Sequence, residues 1–191
     1  MIYILRYIKA MLIYMLGALP VIAAFRLLRG QSLHKKGIRT TLFREAGLII
    51  FLLYLTGLAS QAIIPHTQSM CLFTGSINLV PFKIFVDAWR EAACNRDFEP
   101  LIISLAGNIG IFIPMGFFIP LLWQRTGKQS VLIAFLVSLM IELCQLFQVR
   151  CSDIDDLWMN TLGGLIGWGM YFLLHRLKPK ITVRFKINGT I

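Results

Sequence analysis

The segment from Ser152 to Gly169, SDIDDLWMNTLGGLIGWG, puts three carboxylates into four positions and then runs directly into an apolar stretch carrying Asn160 and several glycines. Carboxylates at the edge of hydrocarbon lose hydration, a costly placement that membrane insertion does not require. Asp153, Asp155 and Asp156 offer hard oxygens suited to a divalent cation, although the spacing lacks the glycine and terminal glutamate of an EF-hand loop. They would equally serve as solvated loop charges or as partners of Arg150, and Asp153 as a helix cap. His66 is the one outlying side chain that could join them on a metal. Elsewhere, Asn108, Glu142 and Gln145 stand out because apolar residues surround them. An intramembrane carboxylate such as Glu142 marks a functional site by default; its competing role is interhelical glue with Asn108 or Asn160. No Ser–His–Asp or Cys–His spacing supplies a nucleophile, and there is no Gly-rich phosphate loop. Whether Glu142 is a catalytic acid or base, or a binding group, stays open at this level.

The elements that must position these residues are membrane helices. Of 191 residues, 57% are apolar and only 15% charged, and the mean hydropathy is +0.72. Soluble domains of this length do not combine such values. Apolar stretches near 10–28, 46–64, 101–123, 129–149 and 157–175 approach the roughly 20 residues a spanning helix needs, which predicts an all-α integral membrane protein, a bundle of about five transmembrane helices. Pro20, Pro114 and Pro120 fall inside them. Basic residues gather in three segments: Arg29 to Arg44, Arg125 with Lys128, and Arg176 to Lys186. With five spans these share one side, and the positive-inside rule makes it cytoplasmic, with the N-terminus out and the C-terminus in. The chain then divides into two N-terminal spans with a basic loop (1–64), an extracytoplasmic loop (65–100), a three-span core (101–175) and a basic tail (176–191).

Depth follows from a rise of about 1.5 Å per residue. Asn108 and Glu142 lie on the order of 10 Å below the outer ends of their spans by that count. Gln145 is one turn shallower on the face of Glu142, and Asn160 shares a helical face with Asp153 and Asp156. Spans three, four and five therefore carry hydrogen-bonding groups to one shallow outer layer, with the first two spans bracing them. The net charge of +10 fits orientation signals and anionic headgroups rather than nucleic acid, since no recognition motif accompanies it. Gly163 and Gly167 match the close-packing pattern of membrane helices, within the chain or between copies of a homo-oligomer. A Cys71–Cys94 disulfide is open to the chain in an oxidising compartment. No cofactor is expected; a divalent cation on Asp153, Asp155 and Asp156 is the alternative.

Four motifs, Asn78-Leu-Val-Pro-Phe82, Asn108-Ile-Gly-Ile-Phe-Ile-Pro-Met-Gly116, Ile141-Glu-Leu-Cys-Gln145 and Ser152-Asp-Ile-Asp-Asp-Leu-Trp-Met-Asn-Thr-Leu-Gly-Gly164, occur in that order. Together they resemble the VanZ family, named for a protein of glycopeptide-resistance gene clusters. The resemblance runs from Asn78 to about Gly169 and leaves the N-terminal third unsupported. It places the family's polar positions on Asn78, Asn108, Glu142, Gln145, Asp153, Asp156 and Asn160. It implies a multi-pass protein of the bacterial cell membrane that lowers susceptibility to teicoplanin, a lipid-tailed glycopeptide. The reading built on both lines is an outward-facing polar pocket that engages a lipid headgroup or a lipid-linked cell-wall intermediate. Arg150 and Lys83 flank it as phosphate partners. The alternatives are a membrane-embedded enzyme modifying an envelope lipid and a non-catalytic assembly subunit.

Overall fold

The computed structural model describes residues 2–63, 77–78, 80–96, 98–145 and 152–186. Its helices are α1 (Ile2–Lys35), α2 (Leu42–Ile63), α3 (Lys83–Asn95), α4 (Glu99–Trp123), α5 (Gly127–Gln145), α6 (Ile154–Leu177) and the short α7 (Pro179–Val183). Two short strands, β1 (Ile77–Asn78) and β2 (Ser152–Asp153), pair in parallel, Ile77 with Ser152 and Asn78 with Asp153. The long helices are apolar around most of their circumference, as helices surrounded by lipid or by other helices must be. Prolines do not break α4, which continues through both Pro114 and Pro120 and ends where Gln124 turns left-handed and its N–H donates to Pro120 O. The 65–100 segment, expected as loop, contains α3.

Four helices, α1, α2, α4 and α5, are long and apolar enough to cross a membrane, and the protein is an all-α membrane protein. The fifth expected span, α6, has 24 residues, roughly 36 Å at 1.5 Å each. That exceeds the ~30 Å hydrocarbon layer, but Asp155, Asp156, Asn160 and the glycines dilute its apolar character.

Helix α6 is the centre of the assembly. Gly163 stands against the Ile109 carbonyl and Gly167 against that of Ile113, so α6 and α4 run parallel with their backbones in contact. A Cβ at either glycine would collide with the facing carbonyl oxygen. On the other flank α5 runs antiparallel, Ala134 beside Gly164 and Gly127 beside Trp168. Gly163, Gly164 and Gly167 of α6 are thus occupied inside the chain.

The two N-terminal helices have unequal parts. Phe51, Tyr54 and Leu58 of α2 belong to the buried core with Phe112, Met115 and Ile119 of α4, and Tyr54 Oη donates to Ile111 O at 2.8 Å. Large side chains on α2 complete the core, so only α1 acts as the expected brace. It lies antiparallel on α2, with Met11 and Met15 over Gly57 and Arg26 paired to Glu45 at 2.8 Å. None of its most apolar window is buried.

At one end of the bundle the three basic segments meet. The buried Arg44 Nη1 donates to Leu122 O and to Phe185 O at 2.9 Å. Thr41 Oγ1 donates to Arg184 O, and the Arg184 guanidinium lies 5.0 Å over the Phe43 ring. Carbonyls at the end of a helix lack intrahelical partners, and Arg44 satisfies one of them for α4.

Candidate functional site

The opposite end carries the polar residues. Along α5 the buried positions are Ser130, Ala134, Ser138, Glu142 and Gln145, a stripe of small and polar groups at helical spacing. This stripe faces α6, where Asn160 Nδ2 donates to Ser138 Oγ at 2.9 Å. The antiparallel register then carries Glu142, one turn beyond Ser138, toward the start of α6 and Asp156. From α4, Asn108 Nδ2 donates to Asp156 Oδ1. Glu142 is 7% exposed and Asn160 6%. Three helices therefore bring Asn108, Ser138, Glu142, Gln145, Asp156 and Asn160 to one end of the bundle, the layer that depth counting predicts.

Two acids and three amides share this layer. Asn160 Oδ1 is buried and has no hydrogen-bond partner among the described residues. An unsatisfied buried carbonyl is costly, about 1–3 kcal/mol. The arrangement therefore suits a guest that donates hydrogen bonds: a hydroxyl, an ammonium or water.

The aspartates divide the work. Asp155 is buried, and its Oδ1 accepts the Phe82 N–H at 2.6 Å and Trp158 Nε1 at 2.9 Å. Phe82 has a φ of 63°, a left-handed conformation rare for a bulky residue, and its ring lies 5.4 Å from that of Trp158. The Asn78–Phe82 motif is thus held to the start of α6 twice, by the strand pair and by Asp155. Asp155 has a fastening role where the sequence offered a metal ligand. Among the described residues no three His, Cys, Asp or Glu side chains group to hold a metal ion.

For Asn78 and Asp153 the structure gives the backbone pairing only, whereas Arg150, His66, Cys71 and Cys151 lie outside the described residues. Cys94 and Cys144 are exposed, free thiols. Sequence reasoning missed Ser138, Phe82 and Trp158. The i, i+4 recurrence of Ser130, Ala134, Ser138 and Glu142 would have disclosed the first; no local pattern pairs Phe82 with Asp155.

A family model described as VanZ/LLP1 matches residues 46–175, about two thirds of the chain. The match begins within α2, earlier than the motif reading that starts at Asn78, in keeping with the place of α2 in the core. Neither a curated protein nor a solved structure matches the chain.

Proposed function

The chain belongs to the VanZ/LLP1 family, and on that premise we propose that its polar layer is an outward-facing site for a lipid headgroup or lipid-linked cell-wall intermediate. Occupying that ligand would lower susceptibility to teicoplanin-type lipoglycopeptides in a bacterial membrane that the chain crosses five times, α6 included. The observation that carries this reading is the buried, unsatisfied Asn160 Oδ1 in a layer that also holds Glu142 and Asp156. A zwitterionic or hydroxylated headgroup would bring a donor for Asn160 Oδ1, and Lys83 and Arg150, the cations that flank the motifs in sequence, would meet its phosphate. Asn108 and Ser138 hold Asp156 and Asn160 in place and so orient the acceptors before a ligand arrives. An assembly subunit packing through α6 is less well supported, because Gly163, Gly164 and Gly167 already face α4 and α5.

The test uses detergent-solubilised protein and mass spectrometry of the lipid that copurifies with it, alongside teicoplanin susceptibility of cells expressing each variant. Glu142→Gln keeps shape and a hydrogen-bonding amide. It should leave membrane abundance normal while removing both the copurifying lipid and the effect on susceptibility; Arg150→Ala should reduce both in part. A Glu142→Gln protein with normal abundance and full activity would refute the charged-ligand reading and reduce the layer to packing.

A further inference from the structure

Helix α3 is amphipathic in a way that no spanning helix of this chain is. At 100° per residue, Phe85, Val86, Trp89 and Ala92 fall on one side, and Lys83, Asp87, Arg90 and Cys94 on the other. Only Ala92 of the apolar side is buried by the protein; Phe85, Val86 and Trp89 are exposed. Such a face on a soluble protein would be an aggregation hazard. Here its surroundings are dictated by connectivity. The helix ends at Asn95 and α4 begins at Glu99, with its strongly apolar stretch starting at Leu105. The helical residues from Glu99 to Leu105 rise roughly 10 Å, so α3 joins α4 at a height that the headgroup layer, about 5–8 Å on each side, largely fills.

We propose that α3 is an interfacial helix, lying in the plane of the membrane with Phe85, Val86 and Trp89 inserted at the boundary between headgroups and acyl chains. Three observations besides the exposed face lead to lipid rather than to another protein. The aromatic surface is continuous with that of a spanning helix: Phe85 stacks on Trp89 at 6.1 Å between ring centroids, and Trp89 meets Phe98, at the start of α4, edge-on at 5.6 Å. One turn beyond Phe98, Ile102 of α4 is exposed and extends the apolar surface toward the belt that lipid must cover. Trp89, an aromatic side chain with a polar edge, is of the kind that settles at this depth. Arg90 borders a shallow recess with Phe85, Val86 and Trp89, where its aliphatic stem can run along the apolar face and its guanidinium reach a phosphate. This placement does not depend on which side of the membrane α3 occupies, nor on the ligand of the polar layer.

The experiment is site-directed spin labelling of the full chain in vesicles of phosphatidylethanolamine and phosphatidylglycerol, reading nitroxide collisions with oxygen, which partitions into lipid, and with a water-soluble nickel chelate. One sample keeps the native Cys94 as the only cysteine, with Cys71, Cys144 and Cys151 changed to serine. A second also carries Cys94→Ser and Phe85→Cys; a third replaces Phe85→Cys with Val86→Cys, so that no result hangs on the loss of one aromatic ring. The oxygen-to-nickel ratio should be several-fold higher at positions 85 and 86 than at 94. Equal ratios, with nickel reaching all three sites, would overturn the proposal by placing the apolar face in water. Shielding of 85 and 86 from both reagents would overturn it equally, by showing that protein, a second copy or another segment, covers the face.

Discussion

Asp155 shows how much one side chain can decide. Its carboxylate is 1% exposed, and one of its oxygens receives donors from two different elements, the Phe82 backbone and the Trp158 indole. Hydrogen bonds to a carboxylate inside a protein are among the stronger ones, and a buried donor left without an acceptor keeps its desolvation cost. Asp155→Ala should therefore lower stability by roughly 2–4 kcal/mol, read as a drop in the thermal midpoint in detergent. Asp155→Asn, which retains one acceptor oxygen, should recover about half of that loss. Asp155→Ala would also release Phe82 from its left-handed backbone, since among the described residues only Asp155 accepts its N–H. Three aspartates in four positions look alike in a sequence. Their different long-range partners, Asn108 for Asp156 and Phe82 for Asp155, come from residues 48 and 73 positions away.

Between elements, the contact of α4 with α6 is made by backbone rather than by side chains. Gly167→Ala would push a methyl group into the Ile113 carbonyl, whereas Gly169→Ala meets nothing within 4 Å. Overpacking of this kind costs about 1–3 kcal/mol or more. Gly167→Ala should thus lower the unfolding midpoint measurably and Gly169→Ala leave it unchanged; equal effects would mean that helix propensity, not contact, governs the site. The long helices and the shared level of Asn108, Glu142 and Asn160 were legible because apolar runs and helical rise are local properties. Less legible was the partition of roles. Phe51 and Tyr54 sit in an apolar run like any other, and only the shape of α4 makes them core. Helix α3 escaped notice because its apolar positions are diluted by Asp87 and Arg90, which hide it from a search for uninterrupted hydrophobicity. Read at a period of 3.6, Phe85, Val86 and Trp89 align.

Across the whole molecule, polar chemistry and basic charge occupy opposite ends: Asn108 and Asp156 at one, Arg44, Thr41 and Arg184 at the other. Positive charge favours the cytoplasm, so a membrane-impermeant thiol reagent applied to intact cells should label native Cys94 and spare a cysteine introduced at Lys35. The reverse pattern would turn the polar layer inward, away from any extracellular antibiotic. The latch at the basic end has a consequence in time as well as in space. Arg44 precedes its acceptor Phe185 by 141 residues, and a ribosome adding roughly 5–20 residues per second needs about 7–28 s to make them. For the first 78 of those residues, up to Leu122, the guanidinium has neither of its carbonyl partners, and until Phe185 it has only one; an unpaired guanidinium is costly in hydrocarbon. The start of α2 must wait at the water's edge while the remaining helices are threaded in, and the bundle closes only when its last residues arrive. Synthesis and closure of this protein are thereby ordered by one arginine.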